Sequence, residues 1–276
     1  MRTTLDRTWS GPLQRSLALL VCLFYGVPAM AVVLASFKTD KDVVNSPASL
    51  LFTPTLDAYQ EVLNEALLRG VFNSAVIAIG TTVVTMAAAV PAAYLLSMAR
   101  ARYTALVVGG LIFLQMMPGT VLVIPLFPVL DSLHVLGGRP GVILALSAVS
   151  LPFAILLMRP NFVGVPPEIS EAGQLDGAGP FRIFFSLVLP LVSNGILIIS
   201  VLLFMGVWGE FLFSITLLRD PELYPISALL AQQQSFYGTE WNRLMAIAIL
   251  GSIPTIIVYL LVARRLRSGL ALGAVK

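Results

Sequence analysis

The chain has 276 residues, 58% of them hydrophobic and 11% charged, with a mean hydropathy of +0.92 and a net charge of +3. Soluble domains carry roughly 25% charged residues, so no water-facing globule hides this much apolar surface, and the solvent for most of the chain is lipid. The small, scattered positive charge is not a nucleic-acid footprint, and a single cysteine, Cys22, excludes an internal disulfide.

A membrane span needs about 20 apolar residues, and in lipid its backbone hydrogen bonds must close within a helix. Six stretches qualify, over 16–36, 72–98, 105–129, 141–158, 186–213 and 244–263. They predict an all-α polytopic membrane protein with six transmembrane helices. The fourth stretch is short and the second is long enough to tilt. Residues 1–15 form an N-terminal tail, 16–263 the six-span domain and 264–276 a C-terminal tail. Basic residues, an apolar run and Ala29-Met30-Ala31 would also suit a cleaved signal peptide. The run continues through Val32, Val33 and Leu34, which favours a retained span.

Lys and Arg set the orientation. With the N-terminus inside, the cytoplasmic segments hold Arg2, Arg7, Arg15, Arg100, Arg102, Arg159, Arg182, Arg264, Arg265, Arg267 and Lys276, which is 11 of the 17 basic residues. Acidic residues run the other way, so both termini and the loop 159–185 are expected in the cytoplasm.

Among the outer connections, residues 37–70 are punctuated by Pro47 and Pro54. Thr55–Leu63 is expected as a short amphipathic helix with Leu56, Tyr59 and Leu63 on one face, capping the spans at the interface. The lone histidine, His134, lies in a short connection with no companion ligands for a metal. Residues 219–243 contain Gln232, Gln233, Gln234, Phe236, Tyr237, Gly238 and Trp241. Amides beside aromatic rings suit contact with a sugar or a partner, and equally an ordinary exposed loop.

Prolines mark the spans: Pro91, Pro118, Pro125, Pro128, Pro152 and Pro254. Each removes a backbone donor and invites a kink. Intramembrane polar residues are few, namely Gln115, Asn194, Trp208 and Glu210. A carboxylate at mid-bilayer costs roughly 2.5–3.5 kcal/mol, so Glu210 is expected at the outer interface or in polar company.

The loop between the fourth and fifth spans is the exception to all this apolarity, with Glu168, Glu171, Asp176 and Arg182 close together. Pro166 and Pro167 suit a helix start. Residues 167–176 then run to Gly177, a natural left-handed stop, and Pro180 begins a second helix leading into the fifth span. The expected result is an elbow of two helices, with Ala172, Gly173, Ala178 and Gly179 leaving room for a partner.

Glu171-Ala172-Gly173, Asp176-Gly177-Ala178 and Leu189-Pro190 resemble the E-A-A-x-x-D-G-A pattern and later L-P of ATP-binding-cassette (ABC) importer permeases. Ser36-Phe37-Lys38, Phe52-Thr53-Pro54-Thr55-Leu56, Trp208-Gly209-Glu210-Phe211 and the tail from Gly269 to Lys276 resemble the carbohydrate-uptake branch, in particular the second permease of maltose-type systems. Gly173 stands in place of the second alanine of the pattern, Gly209 in place of an asparagine, and Ser193-Asn194 where a proline is usual.

This resemblance implies that the elbow is a coupling helix seated in a groove of a nucleotide-binding subunit. Glu171 and Asp176 would be its polar anchors, with Ala172, Gly173, Gly177 and Ala178 giving close fit. Gly273, Ala274, Val275 and Lys276 would approach the ATPase pair, and Gln232, Gln233, Gln234 and Tyr237 an extracytoplasmic substrate-binding protein. Implied partners are a second permease in a heterodimer, two ATPase subunits or a homodimeric ATPase carrying ATP-Mg, and the lipid of a prokaryotic cytoplasmic membrane. Gln115 and Trp208 are the candidates for the substrate path. The chain itself is expected to need no cofactor or metal.

A P-loop requires G-x-x-x-x-G-K-[ST], and none of Lys38, Lys41 and Lys276 stands in one. The chain is therefore expected to be a transport subunit, not an enzyme, with hydrolysis on another chain. The competing readings are an importer of a non-sugar solute and a secondary transporter driven by an ion gradient.

Overall fold

A computed structural model describes residues 12–235 and 238–273, apart from the side chains of 12–14, 234, 235, 238 and 264–273. The chain forms two compact units. One comprises the residues up to Asn64 with Leu230–Gly251, the other Glu65–Leu229 with the residues from Ser252.

In the first unit, α1 (Pro12–Ser36) is a 25-residue apolar helix whose Leu17, Leu20, Phe24 and Tyr25 are all exposed, as a lipid-facing helix requires. It ends in a knot of polar contacts. Ser36 Oγ and Tyr59 OH lie 2.7 Å apart, and the Phe37 and Tyr59 rings are 5.1 Å apart. Lys38 is 2% exposed; its Nζ donates to the carbonyls of Ser46 at 3.1 Å and Pro47 at 2.9 Å, 5.1 Å from the centre of the Phe52 ring. Thr39 caps α2 (Asp40–Asn45), its Oγ1 accepting from Asp42 N.

The next helix, α3 (Asp57–Val62), is shorter than the sequence suggests, and it buries Ala58 and Val62 while Leu56 and Leu63 stay exposed. The helix begins only after Leu56 and ends before Leu63, so the face that packs is the i, i+4 pair within it. Asp40 accepts from Trp241 N, and Arg243 pairs with Glu61 and Glu240. Gln234–Ser235 and Gly238–Thr239 form a minimal antiparallel ladder.

The second unit is built on α4 (Glu65–Met98) and α7 (Arg139–Val163). Ala89, Ala93 and Ala154 are fully buried between them; small side chains let membrane helices approach closely, where dispersion replaces the missing hydrophobic drive. Met158, Phe162, Ile183, Phe184 and Val188 extend this core. Between α4 and α7 run α5 (Ala101–Gln115) and α6 (Gly119–Ser132), and after α7 comes α8 (Pro167–Leu175). The helical segment Pro180–Leu191 follows, with a π-helical run over Ile183–Val188, then helices Ser193–Trp208 and Leu212–Leu217.

Four helices are long and apolar enough to cross a membrane unbroken: Arg15–Ser36, Glu65–Met98, Arg139–Val163 and Trp241–Ala263. Two further spans, expected as continuous helices over 105–129 and 186–213, are bent pairs. Ala101–Gln115 meets Gly119–Ser132 at 99°, and Pro180–Leu191 meets Ser193–Trp208 at 73°, so the described chain has four spans, or up to six if each pair counts as one. At the first bend Pro118 is extended, at φ −58° and ψ 131°; proline also bars its predecessor from helical geometry. At the second, Val192 sits at φ −96° and ψ 6°, two residues after Pro190. The fifth span stops at Trp208, before the predicted 213, because Glu210 starts a new helix. The fourth is a full 25 residues, since Pro152 and Pro160 are accommodated inside α7.

Candidate functional site

The polar loop folds as the spacing of its prolines and glycines dictates. Pro167 opens α8, where its missing N–H has no partner to lose, and Glu168 lies in the first turn, where the helix dipole favours negative charge. Gly177 takes φ +76°, a left-handed conformation that costs a side-chain-bearing residue about 1 kcal/mol or more. The turn is closed by Ala178 N donating to Gly173 O at 2.9 Å and Gly177 N to Gln174 O at 3.0 Å. Pro180 then opens the segment that leads towards Trp208.

The two faces of α8 differ. Gly173 is buried, and a Cβ there would stand 2.7 Å from Leu187 Cδ1 and 3.3 Å from Ile183 Cγ1. The sequence grouped Gly173 with the residues that fit a partner. The structure turns it inward instead, where its lack of a side chain lets α8 lie against the π-helical run. Glu171, Ala172, Asp176 and Gly177 are exposed and Ala178 is half-buried. Leu175 is 90% exposed and Phe181 79%. Among the described residues, Glu168, Glu171 and Asp176 have no salt-bridge partner. The exposed side of α8 thus combines free carboxylates with the bare side chain of Leu175, while Phe181 borders an apolar cleft with Pro91, Tyr94 and Leu95. Behind it, Glu171 also borders a cavity of about 390 Å³ with Tyr94, Ser97, Phe162 and Ser170.

The two substrate-path candidates are not brought together. Gln115, at the end of α5, lines a cavity of about 500 Å³ whose other polar lining includes Thr120, Ser150 and Glu210. Trp208 is 6% exposed, stacks on Phe204 at 5.4 Å and does not line that cavity. Glu210 finds polar company: its Oε1 accepts from Phe213 N at 2.7 Å, and its Oε2 from Ser214 N at 3.2 Å and Ser214 Oγ at 3.1 Å. It caps the helix Leu212–Leu217. Thr120 and Ser150 were not singled out in the sequence, because a lone hydroxyl in an apolar helix carries no signal.

Gln232 ends a short helix begun at Ile226 and is exposed, and Gln233 is half-buried. Tyr237, Ala274, Val275 and Lys276, with the side chain of Gln234, lie outside the described residues; Gly273 is the last described residue of its helix. No group of three or more His, Cys, Asp or Glu able to hold a metal is present among the described residues.

A family model described as "Binding-protein-dependent transport system inner membrane component" matches residues 88–271, which include the whole elbow. The probable ABC transporter permease protein y4oR of Sinorhizobium fredii is 32% identical over 258 residues, 93% of this chain and 92% of that protein. The sulfoquinovosyl glycerol transport system permease protein SmoH of Agrobacterium fabrum is 28% identical, with 99% and 96% covered. The diacetylchitobiose uptake system permease protein NgcG of Streptomyces coelicolor is 27% identical, with 97% and 89% covered. Among solved structures, a chain of a bacterial ABC transporter that imports the acidic polysaccharide alginate superposes with a TM-score of 0.76 at 22% identity, covering 96% of this chain and 98% of that one.

Proposed function

Because the chain belongs to the family of binding-protein-dependent transport system inner membrane components, we propose that it is the permease through which an ABC importer brings a sugar or sugar derivative into the cell, driven through the elbow 167–182. It is a multi-pass inner-membrane transport subunit, and such an importer works with a substrate-binding protein and an ATPase. The sugar class is supported by relatives named for sulfoquinovosyl glycerol, diacetylchitobiose and arabinooligosaccharides.

The observation that carries the coupling role is the division of α8 into two faces. Gly173 seats its back on Ile183 and Leu187, while Glu171, Leu175 and Asp176 are exposed. A rigid piece with an unpaired acidic and apolar surface is what a soluble motor needs in order to push on a membrane helix. In this reading the elbow and both termini are cytoplasmic, in keeping with the Lys and Arg distribution. ATP-Mg binding closes two ATPase subunits, the elbow moves with them, and the spans, paired with those of a second permease, open outward. A docked binding protein then releases its sugar, and hydrolysis restores the inward state. Gln232–Tyr237 would face the binding protein and the residues from Gly273 the ATPases.

Replacing Glu171 by Lys tests the coupling role. The variant should reach the membrane and assemble with its permease partner, yet hydrolyse ATP without uptake. Normal uptake with partners at native levels would overturn the role of Glu171. For the substrate class, the measurement is which solute raises the melting temperature of the binding protein that copurifies with the complex; an amino acid or peptide in place of a sugar would reassign it.

A further inference from the structure

The cavity of about 500 Å³ lies at the break in the first interrupted span, around Met116–Pro118, and against the far end of Ser193–Trp208, where the chain leaves that helix. Gln115 ends α5 and Thr120 sits at the start of α6, one on each side of the Met116–Pro118 break, while Gly206, Val207 and Glu210 come from the end of Ser193–Trp208 and beyond. Ser150 projects from α7. Broken helices at membrane depth are tolerated where they line a cavity, and such breaks bracket solute sites in transporters.

The chemistry of the lining is selective. Gln115, Thr120 and Ser150 make no side-chain hydrogen bond to another described residue. Some helical hydroxyls bond the carbonyl four residues back, as Thr82 does to Ala78 at 2.7 Å and Thr216 to Leu212 at 2.6 Å, while those of Thr81 and Thr85 are buried without a partner among the described residues. Ser150, in mid-helix, leaves its hydroxyl unspent. Glu210 is the ionisable residue in the lining, and both its oxygens are taken up by the cap on Phe213 and Ser214. What remains free is one amide and two hydroxyls, each able to donate and to accept, beside the rings of Phe153 and Phe213. That set matches sugar hydroxyls and an apolar sugar face. A carboxylate, sulfonate or phosphate would call for Arg or Lys, and neither is in the lining.

We infer that this chain itself binds the travelling solute in this cavity, as a neutral sugar unit hydrogen-bonded by Gln115, Thr120 and Ser150. The inference rests on the sugar-importer reading above and goes further, assigning the contact to this subunit and the neutral class to the sugar.

The test uses the complete importer in proteoliposomes, with companion permease, ATPases and binding protein. Uptake of radiolabelled maltose, diacetylchitobiose, arabinotriose and an alginate disaccharide is measured alongside ATP hydrolysis. A neutral sugar should be imported in preference to the acidic disaccharide. Gln115→Ala, Ser150→Ala and Thr120→Val should each lower the sugar imported per ATP hydrolysed about fivefold, the loss of roughly one hydrogen bond. Ser147→Ala, whose hydroxyl faces Thr81 O at 3.4 Å outside the cavity, should leave that ratio unchanged. Sugar uptake with the wild-type ratio in all three cavity variants overturns the subsite, as does an equal loss in Ser147→Ala; preference for the alginate disaccharide overturns the neutral class. ATPase stimulation by a non-sugar solute with no uptake of any of the four sugars overturns the sugar reading itself.

Discussion

Gly173 lies so close to Leu187 that a Cβ at position 173 would stand 2.7 Å from the Leu187 Cδ1 atom. The atom it meets is the far end of a flexible side chain, so alanine is tolerable: a turn of Leu187 makes room, and the helix gains up to about 1 kcal/mol of propensity. Valine adds two methyl groups where Ile183 already stands at 3.3 Å, and overpacking of this kind costs about 1–3 kcal/mol. Gly173→Ala should therefore copurify with the ATPases at the wild-type level, whereas Gly173→Val should lose them while still inserting in the membrane. Equal recovery of ATPase with both variants would show that α8 does not depend on this packing.

Lys38 holds the stretch 46–52 from beneath. Lys38→Met keeps the apolar stem and removes the donor to Ser46 O and Pro47 O. Losing these charge-assisted bonds costs about 2 kcal/mol locally, so amide exchange over 46–52 should accelerate roughly thirtyfold. Unchanged protection would mean that the backbone there is held by other contacts.

Asn73 is 1% exposed and donates to Glu222 O at 2.8 Å and Tyr224 O at 3.0 Å. Asn73→Leu leaves two carbonyls without their donor, a cost of about 1–3 kcal/mol. Asn73→Asp sets a carboxylate against them and costs more. In detergent the melting temperatures should fall in the order wild type, Leu, Asp; a reversed order of the two variants would contradict the donor role.

Glu210 is a cap, so Glu210→Ala should loosen the helix Leu212–Leu217 by about 1–2 kcal/mol. Exchange at Phe213 and Ser214 should rise about tenfold, and less in Glu210→Gln, which keeps one acceptor oxygen. Equal exchange in both variants would count against a cap that uses both oxygens.

The elbow was legible because its grammar is local: Pro167, Gly177 and Pro180 each act on their own residue's backbone, and the turn followed. The spans were legible from hydropathy, but their breaks were not. Met116 and Met117 are as apolar as a helix interior, and proline alone does not discriminate. Pro91, Pro152 and Pro254 lie inside unbroken helices, whereas Pro118 lies at a 99° bend. Lys38 reads as an exposed charge in a polar stretch, and only the tertiary path of 46–52 supplies the carbonyls that bury it. Gly173 reads as room for a partner until Leu187, fourteen positions later, is seen occupying that room. Trp208 reads as an intramembrane aromatic open to a solute, yet it is buried with its ring packed on Phe204.

The π-helical run Ile183–Val188 carries one residue more than an α-helical turn can hold. Each residue of an α-helix turns the chain by about 100° and advances it by about 1.5 Å. Deleting a single residue here would let the segment relax to ordinary winding, and everything on its N-terminal side would then swing to a new azimuth about the axis of Pro180–Leu191. Asp176 and Phe181 would point elsewhere, and the seat of Gly173 on Ile183 and Leu187 would be displaced with them. The aim of the elbow is thus stored as a count of residues, a quantity that no single side-chain substitution can reset.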